Sequence, residues 1–450
     1  MLPQNFNDSK VCIVGLGYVG LTLAVAMADA GFRVHGVERD ASILKCLSEK
    51  RAHFSEVGLN DRLATQIERQ NLTFSAKVPS PSKSTIYIVT VGTPIGPDKR
   101  TVTQALEAVI ADIAEVLRDD DLVVLRSTVR IGTTTEIVRP MLEATGKAFD
   151  LAFCPERTLE GKALVELRTL PQIVGGINDR STFRASQVFS FLTPSIVRVR
   201  NAETAELVKL INNTQRDYLF AFANEVAAIC DAVGVSAHEV IASGNLGYPR
   251  ANLPYPGPVG GPCLEKDPYI LAEGLERFGF KPQLSLAGRL WNESLPDRSV
   301  SELATDLRAR GVAAPTRIAL AGVAFKGRPE TDDLRGSLII PILAALREHF
   351  PNAEYVAWDP IVSEANLAVL GLTPMASAEA AFENASLVIF QNNHQALERL
   401  RLPELSRLMA KPATIYDYWN QHIGLDATEM ADGVIYRALG AFDLKLGVAA

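Results

Sequence analysis

The sequence predicts an α/β protein in which two Rossmann-like, doubly wound domains are joined by a helical middle with one long helix. The first observation is that short apolar runs rich in Val and Ile alternate with helical patterns near the start of the chain and again from Thr316 onward. The second is an unbroken helical pattern over residues 202–233, which contain no Gly or Pro and would form a helix of ~48 Å. We therefore expect three domains, over residues 1–200, 201–300 and 301–450.

Composition argues against several classes of function. The 450 residues are 47% apolar and carry a formal net charge of −7, so the chain can bury large cores and is not expected to bind nucleic acid. The five cysteines lie far apart without CxxC spacing. This pattern favours a reduced, cytoplasmic setting and predicts no structural metal site.

Residues 11–28 could be mistaken for a membrane segment, because they carry no charge over eighteen positions. However, glycines stand at positions 15, 17 and 20, and polar residues begin again at Asp29. A buried strand followed by a packed helix explains this pattern better than a membrane span or a signal peptide. We expect no membrane partner.

The same stretch contains a glycine motif that is typical of dinucleotide binding. An apolar run at 11–14 is followed by GLGYVG at 15–20, a helical pattern and a second apolar run at 33–37. Glycines let the backbone turn tightly and approach a pyrophosphate at the helix N-terminus. Glu38 directly follows the second run, where a carboxylate would bind both ribose hydroxyls and favour NAD. Arg39 leaves NADP as an alternative cofactor. The candidate cofactor contacts are Gly15, Gly17, Tyr18, Val19, Gly20 and Glu38.

Two further apolar runs end in polar residues. Residues 85–91 lead to Thr93, and residues 122–125 lead to Thr128. Ligands of doubly wound sheets bind at the carboxyl ends of the strands, so both threonines are predicted near the cofactor or the reacting centre. A helix N-cap or a turn is the alternative interpretation of either threonine.

Glu156 and Glu160 follow the next apolar run and lie four residues apart. They would share one face if the segment were helical, and positioned carboxylates can transfer protons. They could equally be solvated surface carboxylates.

Lys209 and Asn213 lie four residues apart on one face of the long predicted helix. A lysine and an amide between apolar flanks can stabilise an oxyanion that develops during a reaction. The alternative is a surface lysine beside a polar turn.

The length of this helix also predicts a partner surface. It carries the aromatic residues Tyr218, Phe220 and Phe222, and its remaining apolar face needs cover. We therefore expect a homodimer or a higher homo-oligomer, with two-fold symmetry the commonest solution.

Cys263 stands in the segment GPVGGPCLEKDPY at 257–269. This density of Gly and Pro predicts a tight loop without helix or central strand, able to come close to a ligand. Lys266 follows nearby, and a cation favours the thiolate that a nucleophile needs. The alternative is a small buried cysteine without a chemical role.

Six motifs in this order resemble those of the nucleotide-sugar 6-dehydrogenases, a family that includes UDP-glucose, GDP-mannose and UDP-N-acetylhexosamine dehydrogenases. They extend over nearly the whole chain: GLGYVG at 15, STV at 127, PERTLEG at 155, AELVKLINN at 205, GGPCLEKD at 260 and GVAFKGRPETDDLR at 322. The resemblance implies oxidation of the C6 alcohol of a nucleotide sugar to a carboxylate by two successive hydride transfers to NAD. It also implies that Cys263 captures the aldehyde as a thiohemiacetal, which is oxidised to a thioester and hydrolysed.

The same resemblance implies individual roles. Lys209 and Asn213 would stabilise oxyanions at C6, and Glu156 would be the base for thioester hydrolysis. Asp267 and Thr128 would position the water. The further contacts that it implies are Glu160, Arg250, Gly260 and Lys326 for the substrate, beside Lys209 and Asn213, and Lys266 and Arg335 for the cofactor.

The branch of the family depends on residues near Cys263. The run at 248–253 resembles the UDP-N-acetylhexosamine branch, whereas Pro262 departs from it and Lys266 is closer to the glucose and GDP-mannose branches. We expect a UDP-N-acetylhexosamine as substrate, with UDP-glucose and GDP-mannose as alternatives. Two further alternatives are a two-electron hydroxy-acid dehydrogenase that does not need Cys263, and a catalytically silent NAD-binding regulator.

Overall fold

The computed structural model describes residues 2–3 and 6–441, and the chain divides into two compact units. The first unit contains the residues up to Asn213 together with Lys266–Pro282. The second contains Thr214–Glu265 together with the residues from Gln283 onward. The division into three sequence domains at residues 200 and 300 remains a proposal. The two units are defined by packing, and each combines separate stretches of the chain.

Strands and helices alternate in both units. The strands are β1 (Lys10–Val14), β2 (Arg33–Val37), β3 (Leu72–Ser75), β4 (Ile86–Val89), β5 (Asp121–Leu125), β6 (Phe149–Phe153), β7 (Gln172–Gly176), β8 (Ile196–Arg198), β9 (Arg317–Ala321), β10 (Glu354–Trp358), β11 (Thr373–Pro374), β12 (Leu387–Phe390), β13 (Ala413–Asp417) and β14 (Val434–Ala438). The α-helices are α1 (Tyr18–Ala30), α2 (Ala41–Ser48), α3 (Leu59–Glu68), α4 (Gln104–Val116), α5 (Arg139–Glu143), α6 (Ala163–Thr169), α7 (Asp179–Phe189), α8 (Ala202–Val233), α9 (Ala237–Asn245), α10 (Gly261–Leu264), α11 (Asp267–Glu276), α12 (Gln283–Glu293), α13 (Leu295–Ala309), α14 (Ile339–His349), α15 (Glu364–Val369), α16 (Ala378–Phe382), α17 (Gln395–Glu398) and α18 (Leu402–Leu405). A π-helix lies at Thr133–Val138, and 3-10 helices lie at Ser406–Leu408 and Ala427–Glu429.

Within the described residues, the first unit contains an eight-stranded sheet in the order β3-β2-β1-β4-β5-β6-β7-β8. Neighbouring strands are parallel except β6 and β7, which pair antiparallel. The strand order reverses between β1 and β4, so the sheet is doubly wound. Ligands of such sheets bind outside the carboxyl ends of the strands at this reversal.

The second unit repeats the architecture with six strands of the described chain, in the order β11-β10-β9-β12-β13-β14. All of its neighbouring pairs are parallel, and the order reverses between β9 and β12. The predicted fold class, with two Rossmann-like domains and a helical middle that contains one long helix, is therefore confirmed.

The uncharged stretch at 11–28 forms β1 and most of α1. Val11 and Ile13 pack into the core on one face of the sheet, and Cys12 and Val14 pack into the core on the other. Side chains alternate along a strand, and both faces of this strand are buried, so the strand is apolar after Lys10. Among the residues that the structure describes, no helix has the length and hydrophobicity needed to cross a membrane.

The long helix α8 has the bounds that the sequence predicts. In the first unit it is anchored by Glu206, a buried carboxylate that accepts the N–H groups of Gly132 (2.6 Å) and Thr134 (2.9 Å) and the Thr134 hydroxyl (2.6 Å). Burial raises the pKa of Glu206 to about 7, although these hydrogen bonds lower it. They tie the segment after β5 to the helix that carries Lys209.

Candidate active site

The glycine motif forms the tight turn between β1 and α1. Gly15 has a φ of 92° and donates its N–H to the Val37 carbonyl over 2.8 Å. A Cβ on Gly20 would lie 1.8 Å from the Gly15 carbonyl oxygen, so glycine is required for α1 to pack this closely. A Cβ on Gly17, which precedes α1, would meet no described atom within 4 Å. The helix N-terminus therefore faces open space, as binding of an anion requires.

Glu38 lies at the end of β2 beside this turn. Its carboxylate accepts the N–H of Leu16 over 2.9 Å and that of Asp40 over 3.0 Å. These bonds hold the side chain in place, and a carboxylate has further lone pairs with which to accept two hydroxyl groups.

Tyr18 and Val19 begin α1, and the Tyr18 side chain links the glycine motif to a second loop. The Tyr18 hydroxyl donates to the Glu56 carboxylate. The Gly161 N–H donates to the Tyr18 hydroxyl over 2.9 Å and to Glu56 over 2.7 Å. Burial and the Glu56 carboxylate raise the pKa of Tyr18, so the hydroxyl keeps its proton and fastens the loop that contains Glu160.

The ends of β4 and β5 meet at the carboxyl edge of the first sheet. The Thr93 hydroxyl donates to the backbone carbonyl of Thr128, and the Thr93 side chain is buried. Because β4 flanks the reversal of strand order, both threonines lie where a doubly wound sheet binds its ligands.

Glu156 is buried in the loop after β6, against Arg126 at the end of β5. Arg126 donates from Nε (3.0 Å) and Nη2 (2.6 Å) to Oε2 of Glu156. The backbone N–H groups of Arg157 (2.7 Å) and Thr158 (2.8 Å) donate to Oε1. Burial alone would raise the pKa of Glu156, but Arg126, the Thr158 N–H and Lys209 outweigh burial and lower it. Glu156 is therefore held as an anion.

The segment between Glu156 and Glu160 is a loop, and α6 begins only at Ala163. The helical face that these two glutamates would share is therefore not formed. The cause is local, because the Glu156 carboxylate binds the next two backbone N–H groups, and Gly161 has a φ of 88°. Glu160 is half-buried in this loop.

Asn213, Lys266 and Asp267 lie together in the first unit. Asp267 begins α11 and is fully buried. It accepts the Asn213 amide N–H on Oδ2 over 2.6 Å and the Lys266 ammonium on Oδ1 over 2.8 Å. Lys209, one turn before Asn213 on α8, is 8% exposed. The unit thus combines a lysine, an oriented amide and a buried carboxylate, which are groups that can stabilise an oxyanion and direct a proton.

Cys263 lies in the second unit on the single helical turn α10. The prediction of a loop without helix is wrong for these four residues and for residues 267–269, which begin α11. Pro262 and Pro268 each sit in the first turn of a helix, where the helix does not need the missing N–H. The Cys263 side chain is exposed, whereas three of the other cysteines are buried. A Cβ on Gly260 would lie 2.1 Å from the Gly336 carbonyl oxygen, so glycine here permits close packing against the backbone at Gly336, whereas the approach to a ligand stays a prediction.

Arg289 on α12 braces this turn, and sequence reasoning did not identify it. It is buried and donates to Asp217 on α8 over 2.7 Å, to the Leu264 carbonyl over 3.1 Å and to the Val259 carbonyl over 3.3 Å. The two carbonyls stand on either side of Cys263. The sequence offered only one signal, an arginine three residues before Asn292 in a predicted helical segment, because residues three apart share a helical face. In the structure Asn292 also donates to Asp217.

The remaining predicted contacts of the second unit lie at its surface or sheet edge. Arg250 donates to the Tyr248 hydroxyl over 3.0 Å and stacks on that ring at 4.4 Å. Arg335 is exposed and pairs with Asp333 over 2.6 Å. Lys326 lies in the loop after β9, at the carboxyl edge of the second sheet. Arg250 and Arg335 are thus each held by a near neighbour in the sequence.

Three consecutive segments match the domains of one family. Residues 9–193 match "UDP-glucose/GDP-mannose dehydrogenase family, NAD binding domain", residues 203–294 match its central domain, and residues 319–422 match its UDP binding domain. The chain belongs to the UDP-glucose/GDP-mannose dehydrogenase family. It is an NAD-dependent dehydrogenase, and the resemblance that its six motifs carry is confirmed.

Relatives of this dehydrogenase cover nearly its whole length. A UDP-N-acetyl-D-mannosamine dehydrogenase of Yersinia pestis is 30% identical over 88% of this chain and 96% of its own. The structure of a UDP-D-ManNAc dehydrogenase from Pyrococcus horikoshii has a TM-score of 0.85, with 29% identity over 97% of this chain and 100% of that one. A UDP-glucose dehydrogenase from Pyrobaculum islandicum also has a TM-score of 0.85, with 27% identity over 98% and 99% of the two chains.

The residues of the first unit fit the NAD that the family requires. The open N-terminus of α1 suits a pyrophosphate, and the Glu38 carboxylate beside it suits the hydroxyls of a ribose. NAD supplies the hydride acceptor for the oxidation. Among residues 2–3 and 6–441, no group of three His, Cys, Asp or Glu side chains lies close enough to hold a metal ion.

Two glycines of the motif should separate folding from cofactor binding. We expect Gly20→Ala to lower the free energy of unfolding by about 1–3 kcal/mol, because its Cβ overlaps the Gly15 carbonyl. Gly17→Ala, at the N-cap of α1, should lower stability by at most about 1 kcal/mol but weaken NAD binding by roughly 10-fold or more, since its Cβ occupies the space at the helix N-terminus. Urea unfolding and calorimetric titration with NAD measure both, and native NAD affinity in Gly17→Ala would contradict this cofactor site.

Proposed function

We propose that this dehydrogenase oxidises the C6 alcohol of a UDP-N-acetylhexosamine, UDP-N-acetyl-D-mannosamine first among them, to the carboxylate. The observation that carries the four-electron reaction is an exposed thiol, Cys263, on a braced glycine-rich turn. The names of the relatives from Yersinia pestis and Pyrococcus horikoshii support UDP-N-acetyl-D-mannosamine as the substrate. The resemblance of the run at 248–253 supports the same branch of the family. The relative from Pyrobaculum islandicum keeps UDP-glucose as the second candidate.

The first oxidation removes a proton from the C6 hydroxyl and a hydride from C6, which leaves an aldehyde. Lys209 and Asn213 stabilise the negative charge on the oxygen as the proton leaves. Asp267 supports this role because its bond to Asn213 over 2.6 Å fixes the direction of the amide. Lys209, which is nearly buried, acts with little competing water.

The second oxidation passes through a covalent adduct. The Cys263 thiolate adds to the aldehyde carbon, and the thiohemiacetal loses its hydroxyl proton and a second hydride to become a thioester. Glu156 takes a proton from water, the resulting hydroxide attacks the thioester carbon, and the C–S bond breaks to restore the thiolate. The overall reaction consumes one water and two NAD and yields the carboxylate, two NADH and three protons.

The number of NADH formed per sugar tests this reaction. With UDP-N-acetyl-D-mannosamine, UDP-glucose and GDP-mannose as a panel, we expect the first to be oxidised with two NADH per sugar consumed. Cys263→Ser should lower steady turnover at least ~10²-fold, on the scale of losing a positioned catalytic group, whereas Cys46→Ser, a control on α2, should not. One NADH per sugar, or near-native turnover of Cys263→Ser, would favour a two-electron dehydrogenase.

Glu156→Gln should stop the reaction after both oxidations. The amide keeps the shape of the side chain but cannot take a proton from water, so the thioester should accumulate. We expect a burst of two NADH per active site, then a stall, with the mass of the acyl sugar added to the intact protein in mass spectrometry. Steady turnover without this adduct would show that Glu156 is not the base.

We also propose that the protein assembles at least as a dimer through α8. Large apolar side chains along this helix are exposed in the single chain, among them Ile211, Phe222 and Ile229 at 46%, 46% and 53%. Large apolar side chains that stay exposed along one helix are a common feature of subunit interfaces.

Light scattering at micromolar concentration should therefore give at least twice 48.8 kDa. Phe222→Glu should shift the mass toward the monomer, because it buries a charge in the proposed interface. Val369→Glu, at an exposed apolar position of α15, is the matched control and should not change the mass. A monomer mass for the unmodified protein would refute the dimer.

A further inference from the structure

The Glu156 carboxylate has no lone pair to spare in this structure. Its Oε2 receives two N–H groups of Arg126, and its Oε1 receives the backbone N–H groups of Arg157 and Thr158. A carboxylate offers about four lone-pair sites. A water that gives its proton to Glu156 must therefore share an oxygen that these donors already contact, so the donors control both the direction and the basicity of the group.

Arg126 is itself held rigidly. Its side chain is 1% exposed, and its Nη1 donates to the Cys154 carbonyl over 3.0 Å and to Oε1 of Gln172 over 2.8 Å. The Gln172 amide donates in turn to the Pro155 carbonyl over 3.2 Å and the Ile173 carbonyl over 2.8 Å. Gln172, the first residue of β7, thus fixes the orientation of the Arg126 guanidinium, whose other nitrogens bind Glu156.

Among the charged residues around Glu156, Arg126 contributes most to keeping the carboxylate ionised. The other charged residues near it are Lys209 on α8, Arg157 in its own loop and Glu166 on α6, which accepts the Leu159 N–H. In contrast to these three, Arg126 makes two side-chain hydrogen bonds to the carboxylate and is buried with it. A buried carboxylate without such a partner takes up a proton instead.

We propose that Arg126, held by Gln172, is a positioning residue for thioester hydrolysis, which keeps Glu156 ionised and fixes the direction of its carboxylate. This inference rests on the proposed function, in which Glu156 activates the water. Arg126 itself touches neither substrate nor cofactor in this role. It acts through Glu156 alone, so its loss should alter the hydrolysis step and leave both oxidations intact.

The test is the pH dependence of thioester hydrolysis in single-turnover experiments with UDP-N-acetyl-D-mannosamine and NAD. In Arg126→Gln the buried Glu156 loses its counter-charge, so its pKa rises and the ionised fraction falls as the pH is lowered. The hydrolysis rate should fall at low pH as Glu156 takes up a proton, and this fall is the acid limb of the profile. We expect the acid limb to shift to higher pH by about one unit or more, with an unchanged burst of two NADH. Arg126→Lys keeps the positive charge and should return the acid limb toward its native pH. The hydrolysis rate should stay below the native rate, because one ammonium does not reproduce the two guanidinium N–H bonds to Glu156.

Gln172→Glu tests the same point without removing the arginine. The substitution keeps the length of the side chain, removes the amide donor to the Pro155 and Ile173 carbonyls and adds a second carboxylate that competes for Arg126. The limb should therefore move in the same direction, by a smaller amount because Arg126 is still present. Gln187→Glu adds the same charge at an exposed site on α7 and should leave the profile unchanged. If Arg126→Gln does not fold, Gln172→Glu decides.

The outcomes separate the two proposals. A native acid limb in Arg126→Gln or, where that variant is unfolded, in Gln172→Glu would overturn the inference, even if Glu156→Gln stalls as an acyl-enzyme. Steady turnover of Glu156→Gln would overturn the role of Glu156 and, with it, that of Arg126. An upward shift together with that stall supports both.

Discussion

Burial of charge is the constraint on which the candidate site depends. Three buried carboxylates receive a cationic or amide donor from another element of the same unit: Glu156 from Arg126, Asp267 from Asn213, and Asp217 from Arg289. An unpaired buried charge costs several kcal/mol (~3–5) when one partner is removed. Each pair therefore locks two elements together and, in doing so, fixes a reactive group or the turn that carries one.

The parallel topology places the polar residues that these pairs organise. In a doubly wound sheet the strands are mostly apolar, because helices cover both faces, and the polar side chains that meet a ligand lie just beyond the strand ends. Thr93, Thr128 and Glu156 follow β4, β5 and β6 and so meet at one edge of the first sheet. Lys326 after β9 occupies the matching edge of the second sheet. The first sheet lies largely in the segment that matches the family's NAD binding domain, and the second in the segment that matches its UDP binding domain.

Sequence reasoning succeeded where a feature depends on its immediate neighbours along the chain. The turn at Gly15 and the bounds of α8 follow from glycine geometry and from a run without helix breakers. It failed where a contact is distant or a local preference is overruled. The sequence assigned no role to Arg126, although this residue directly follows an apolar strand, because its contact with Glu156 is distant along the chain. The Gly- and Pro-rich segment around Cys263 forms a helical turn that its composition did not predict.

By itself the sequence determined the fold class, the long helix, the family motifs and the residue types available for chemistry, because each of these is a short-range pattern of hydrophobicity, glycine or spacing. Only the tertiary structure decided which side chain donates to Glu156 and which side chain braces the Cys263 turn. Arg126 and Glu156 are 30 residues apart, and Arg289 and Asp217 are 72 apart. Their hydrogen bonds depend on strand order and helix packing, which no local pattern encodes.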